Sequence, residues 1–112
     1  MSDNNGYVPV MPEDQVKEGE LYPFELDGEE MVITRVDGKV FAVHGICTHE
    51  YAQLCDGELE DETLWCPLHS SGFNIRTGEA TNLPAVDPLP TYDVRIEGGQ
   101  IHVARAPNAP TD

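Results

Sequence analysis

What most constrains this chain is a pair of short motifs, Cys47-Thr48-His49 and Cys66-Pro67-Leu68-His69, with sixteen residues between them. Each offers one thiolate and one imidazole at a spacing that lets both side chains point at one metal centre from the tip of a tight loop. Brought together, the two loops make a Cys₂His₂ donor set. Any fold the chain adopts must therefore set residues 47–49 beside residues 66–69. Thiolate and imidazole suit zinc as well as iron. A structural Zn²⁺ takes the same four ligands tetrahedrally, although zinc fingers usually pair cysteine with cysteine and histidine with histidine, whereas each half here is mixed.

The third cysteine, Cys55, makes the count odd. Residues 1–7 are polar and acidic, without the basic and apolar regions of an export signal, so a disulfide framework is not expected. No run approaches the roughly 18 apolar residues of a membrane span. With 21 acidic against 6 basic side chains the net charge is −15, which disfavours nucleic acid and anionic membranes as partners and favours basic protein surfaces. These features predict a soluble, cytoplasmic, monomeric protein, and its 112 residues predict one domain, 1–112.

Helical periodicity is missing, while short runs rich in Val, Ile, Phe and Tyr recur between turn residues. Strands are predicted at 7–10, 21–26, 31–36, 39–43, 92–96 and 100–104. Asp27-Gly28 and Asp37-Gly38 supply the positive φ angles of two-residue hairpin turns, and Glu97-Gly98-Gly99 closes a third hairpin. Residues 44–84 read as a loop-rich insertion broken by Asp56-Gly57, Pro67, Gly72, Gly78 and Pro84. Pro84, Pro88 and Pro90 mark an extended return, and residues 107–112 read as a frayed tail.

On these residues the chain resembles the Rieske ferredoxins that feed electrons to bacterial aromatic-ring-hydroxylating dioxygenases. Their Cys-x-His, a gap of about this length, then Cys-x-x-His is met at Cys47, His49, Cys66 and His69. The likeness runs on through Asp56-Gly57, Phe73, Arg76-Thr77-Gly78 and Gly78-Glu79-Ala80 to Pro84. The resemblance implies an all-β fold, a small antiparallel sandwich or barrel, with a cluster-binding subdomain at residues 44–84. It implies one [2Fe–2S] cluster, Cys47 and Cys66 on the inner iron and His49 and His69 on the outer. It also implies a one-electron carrier rather than an enzyme, between a flavin-containing NADH-dependent reductase and a terminal Rieske oxygenase. Two other functions stand beside it: a Rieske-like small subunit of another redox enzyme such as a nitrite reductase, and a zinc-stabilised interaction module.

Neutral imidazoles in place of two thiolates make the cluster less negative and raise its potential into a range of roughly −150 to +300 mV. Ala52 and Leu68 stand where high-potential relatives carry disulfide cysteines, and Phe73 where they carry a tyrosine hydroxyl, so the low end of that range is expected. Ser70 and Ser71 replace the Gly-Gly common in the dioxygenase ferredoxins. Ser71 either donates a hydrogen bond to a bridging sulfide or points into solvent. Cys55 is expected to be a packed or part-exposed thiol, His44 and His102 satisfied structural histidines, and Trp65 a core aromatic at a strand end. Neither a catalytic nucleophile, a general base nor a phosphate loop is recognisable.

Overall fold

In the computed structural model residues 6–47, 53–67, 71–82 and 88–108 are described. Their strands are β1 (Tyr7–Pro12), β2 (Tyr22–Leu26), β3 (Glu29–Val36), β4 (Lys39–His44), β5 (Glu58–Glu60), β6 (Thr63–Trp65), β7 (Gly72–Asn74), β8 (Ala80–Asn82), β9 (Thr91–Tyr92), β10 (Val94–Glu97) and β11 (Gln100–Ala104). They form three antiparallel sheets, ordered β1-β11-β10, β2-β3-β4-β9 and β5-β6-β7-β8. The all-β expectation is met, and no helix among the described residues is long and apolar enough to cross a membrane.

The turns work as the sequence implies. Asp27-Gly28, Asp37-Gly38 and Gly98-Gly99 have φ of 53 and 84°, 52 and 81°, and 59 and 78°. Positive φ at both positions matches the twist of the strands they join. Proline falls where a missing N–H costs no ladder bond: Pro9 and Pro12 lie on edge strand β1, and Pro23 on edge strand β2.

The sheet β2-β3-β4-β9 is the middle layer, buried on both faces at β3 and β4. Alternation along β3 sends Met31 and Ile33 into one apolar cluster, with Val16, Leu26, Ala42, Tyr92, Ile101 and Val103. Val32 and Val36 go into the other, with Val43, Cys47, Leu54, Leu64, Cys66, Phe73, Ile75 and Leu89. The second cluster lies between the middle sheet and β5-β6-β7-β8.

Three features differ from the sequence reading. The middle of the chain, expected as loops, contains the four three-residue strands β5–β8. Such strands are too short to show a period-2 pattern. The expected strand at 92–96 divides at Asp93, because β9 pairs with β4 while β10 pairs with β11. The expected tail is held at its start, since the Asn108 N–H donates to the Thr91 carbonyl at 2.8 Å and its Nδ2 to Thr91 Oγ1 at 3.1 Å.

Gly57 and Gly78 are required by close approach. A Cβ on Gly57 would lie 1.9 Å from the Trp65 carbonyl oxygen, and one on Gly78, at φ +81°, 2.0 Å from that of Leu89. At Gly28 a Cβ meets nothing within 4 Å. Gly57→Ala and Gly78→Ala are therefore expected to lose about 3 kcal/mol or more of stability by overpacking, and Gly28→Ala only about 1 kcal/mol through its left-handed backbone. Urea unfolding of the three variants checks this, and equal losses would contradict it.

Candidate metal centre

The first ligand loop leaves β4 at Gly45. The Gly45 N–H donates to the Glu30 carbonyl at 2.7 Å, and a Cβ there would sit 3.0 Å from that carbonyl's carbon and oxygen. Glycine lets the chain turn off the sheet flush against β3. Ile46 then bridges to Gln53, and the Leu54 N–H returns to the Gly45 carbonyl at 2.8 Å, so the loop is closed at its root. Cys47 lies just inside that closure, 4% exposed.

The second loop joins β6 to β7. Trp65 pairs with Gly72, and the Cys66 N–H donates to the Ser71 carbonyl at 2.9 Å, which closes this loop at its root. Cys66 is 4% exposed, packed in the same apolar cluster as Cys47, Leu64 and Phe73. Neither cysteine forms a disulfide. His49 and His69 lie outside the described residues, as do Ala52, Leu68, Ser70 and Pro84.

Two buried thiols at the roots of two loops, converging on one apolar cluster, have the chemistry of metal ligands. An isolated buried thiolate is costly, and a bound cation removes that cost by deprotonating the thiol and offsetting its charge. The donor set therefore fits an iron–sulfur centre.

Around the cysteines, Phe73 is wholly buried and brings bulk without a hydroxyl. Ser71 is also wholly buried, which overturns the reading that it points into solvent. Cys55 is half-buried against the same cluster, and its thiol pKa is pushed up by burial first, then by the Asp56 and Glu30 carboxylates. His44 ends β4 with Nδ1 buried and unpartnered, 3.8 Å from Glu29 Oε1. The expectation of a satisfied histidine thus fails at that nitrogen. His102 is half-buried on β11 opposite Pro9 and Arg95. Trp65, half-buried at the end of β6, has an Nε1 without an acceptor.

Sequence reasoning passed over the residues that brace the loops. The Asn74 side chain accepts the N–H groups of Arg76 and Thr77 at 2.8 and 3.2 Å. So oriented, Arg76 reaches Glu62 at 2.8 Å and Asp37 at 3.7 Å and lies over the Phe41 ring at 5.1 Å, tying the β5–β8 layer to the middle sheet. Gln53 Nε2 donates to both carboxylate oxygens of Glu30, at 2.9 and 3.1 Å. Only the glycine before the first motif hinted at such close packing.

An antiparallel β scaffold that brings two buried cysteines from separate loops into one apolar cluster is the build of a small iron–sulfur protein. The chain belongs to the family of the Rieske [2Fe-2S] domain, whose model matches residues 6–93, and it carries one [2Fe–2S] cluster. It is similar to the 3-phenylpropionate/cinnamic acid dioxygenase ferredoxin subunit of Escherichia coli strain K12, 40% identical over 98 residues, 86% of this chain and 91% of that protein. It is also similar to the ferredoxin of carbazole 1,9a-dioxygenase from Nocardioides aromaticivorans IC177, with a TM-score of 0.85 and 38% identity over 89% of this chain and 98% of the other. A chain from the complex of reduced oxygenase and oxidized ferredoxin in carbazole 1,9a-dioxygenase gives a TM-score of 0.89 at 26% identity, covering 95% of this chain and 99% of that one.

The raised pKa of Cys55 has a measurable consequence. At a given pH less of it is thiolate, so iodoacetamide should label it more slowly than a cysteine peptide at pH 8. Its rate should still be climbing at a pH where the peptide has levelled off. Cys47 and Cys66 should remain unlabelled in the cluster-loaded protein. Peptide mapping of the alkylated protein across pH reads all three, and Cys55 labelling at the peptide's rate would contradict the assignment.

Proposed function

We propose that this chain is the ferredoxin component of an aromatic-ring dioxygenase system, a cytoplasmic monomer that takes one electron from a flavin-containing NADH-dependent reductase and passes it to a terminal Rieske oxygenase. The observation that carries the reading is the convergence of Cys47 and Cys66, each 4% exposed, on one apolar cluster. In this reading residues 1–112 are one domain, residues 44–84 its cluster-binding subdomain, and Cys47, Cys66, His49 and His69 the four ligands. The ferredoxin names of the relatives support the carrier role, and the oxygenase complex of the carbazole ferredoxin supports that partner.

When bound, a [2Fe–2S] cluster supplies a site that accepts and releases one electron. The chain's own residues set the conditions. Val43, Leu54, Leu64, Phe73, Ile75 and Leu89 exclude water from around the two sulfurs, leaving few dipoles that must turn when the charge changes. Phe73 offers no hydroxyl to a ligand sulfur, which favours the low end of the Rieske range. The net charge of −15 steers basic docking surfaces toward the protein, an attraction that salt screens beyond about 8 Å.

Purified protein should contain about two irons and two labile sulfides per chain, give a rhombic EPR signal on one-electron reduction, and be reoxidised by a terminal oxygenase. Cys47→Ser and Cys66→Ser should abolish the loading. Stoichiometric zinc without labile sulfide, in protein made with ample iron, would overturn the reading.

Ser71 supplies a finer test. Its buried hydroxyl is suited to donate toward a cluster sulfide, and such a bond is stronger when the sulfide carries more negative charge. The difference between redox states is about 1 kcal/mol out of the ~1.5–3 kcal/mol of a charge-assisted bond, or about 40 mV for one electron at ~59 mV per tenfold. Ser71→Ala should lower the midpoint by some tens of millivolts with iron content unchanged. A midpoint within about 10 mV of wild type would dismiss that bond.

A further inference from the structure

Glu30 stands at the root of the Cys47 loop, touching both of its stems. Its carbonyl accepts the Gly45 N–H on the outgoing stem at 2.7 Å. On the returning stem, Gln53 Nε2 donates to both oxygens of its carboxylate, at 2.9 and 3.1 Å. Gln53 is itself fixed by its bridge to Ile46. The carboxylate is therefore oriented by a neutral amide, which holds its charge without cancelling it.

The four arginines are committed elsewhere. Among the described residues Arg35 pairs with Glu13, Arg76 with Glu62 and Asp37, Arg95 with Glu97, and Arg105 with Asp27. The field of Glu30 reaches the edge of the apolar cluster, where it adds to the forces that keep the Cys55 thiol protonated. A group that disfavours negative charge at one sulfur beside the apolar cluster disfavours it at the others nearby.

We infer that Glu30 is a determinant of the reduction potential: its carboxylate, held by Gln53 at the root of the Cys47 loop, opposes the arrival of negative charge at the cluster and lowers the midpoint. The inference rests on the reading of Cys47 and Cys66 as cluster ligands. Reduction adds one electron and no atom, taking a centre with two thiolates and two neutral imidazoles from zero charge to −1. A fixed negative charge nearby raises the energy of the product more than that of the reactant. Glu30 is half-buried, so solvent weakens the effect without erasing it. The expected size is a two- to fivefold change in the reduction equilibrium, about 18–41 mV at ~59 mV per tenfold.

The test is a mediated optical redox titration of the cluster-loaded protein at neutral pH and low ionic strength. Glu30→Gln keeps an amide contact to Gln53 and removes the charge, so it should raise the midpoint by that amount. Gln53→Glu adds a carboxyl at the same place; because two facing carboxylates share a proton near neutral pH, its midpoint is read against wild type at a mildly alkaline pH, where both ionise and it should lie lower. Glu97→Gln is the control. Glu97 flanks the Gly98-Gly99 turn, whose Gly99 carbonyl accepts the Glu13 N–H, and the Glu13 carbonyl in turn accepts from Arg35. It therefore belongs with the Arg35 end of β3, which lies five residues, about 16 Å at ~3.3 Å per residue, along the strand from Glu30, and should leave the midpoint unchanged.

Opposite signs for the first two variants, both shrinking as salt is added, would establish the role. A change under about 1.5-fold, or roughly 10 mV, in the loaded Glu30→Gln protein would overturn it. So would a shift of both variants in the same direction, which a merely loosened loop produces. If Glu30→Gln fails to load, a Gln53→Glu midpoint at or above wild type overturns it by itself. Iron and labile-sulfide counts separate the two levels, because wild-type protein without sulfide defeats the cluster reading beneath the inference.

Discussion

β3 and β4 have little water on either face, and the architecture follows from that. A strand buried on one side only would need one partner layer. Here Met31, Ile33 and Ala42 face one cluster while Val32, Val36 and Val43 face the other, so the middle sheet needs a cover on each side. The outer sheet β1-β11-β10 supplies one cover through Ile101 and Val103. The layer β5-β6-β7-β8 supplies the other through Leu64 and Phe73. Full burial of one such side chain contributes about 1.5–3 kcal/mol, against ~0–1 kcal/mol for an exposed ion pair. The layers are therefore held by the core, and Arg76 with its two carboxylates orients a contact that the core already stabilises.

The two cysteines take their places from the same arrangement. Each sits where a loop leaves a strand that lines the second cluster, Cys47 beyond β4 and Cys66 at the end of β6. Close backbone contact fixes how those loops depart. Gly45 lies against the Glu30 carbonyl, Gly57 against that of Trp65 and Gly78 against that of Leu89. The contacts at Gly57 and Gly78 exclude a β-carbon and that at Gly45 leaves little room for one, so the fold around the loops is pinned by what the chain lacks as much as by the bonds it makes.

Charge is distributed unevenly between structural and unneutralised groups. Arg35, only 17% exposed in its side chain, donates to the carbonyls of Val16, Gly38 and Glu13 at 2.8, 3.0 and 3.0 Å. It stitches the segment after β1 to the β3–β4 turn. Arg95 lies over Tyr7, and Arg105 reaches Asp27. Among the described residues arginine meets only Glu13, Asp27, Asp37, Glu62 and Glu97, so most of the described acidic side chains have no arginine to neutralise them, and the negative character of the surface is theirs.

By itself the sequence determined what depends on neighbours in the chain. The two Cys-His pairs, the left-handed turns at Asp27-Gly28, Asp37-Gly38 and Gly98-Gly99, and the longer strands rest on local spacing, side-chain chemistry and two-residue alternation. All of these can be read without a partner strand. The tertiary structure decided what depends on residues far away. Strands β5–β8 exist because they pair with one another, and three residues carry no readable period. Asp56-Gly57 read as a break in a loop-rich stretch, yet Gly57 is extended and its need for glycine comes from Trp65 on the neighbouring strand. Ser71 is polar and sits in a loop, so its burial could not be read from composition. It follows from the place of Ser71 beside the core, just before β7, as the hold on Asn108 follows from its packing beside Thr91. Local chemistry is written in short stretches of chain, whereas burial and close approach are properties of pairs that only folding brings together.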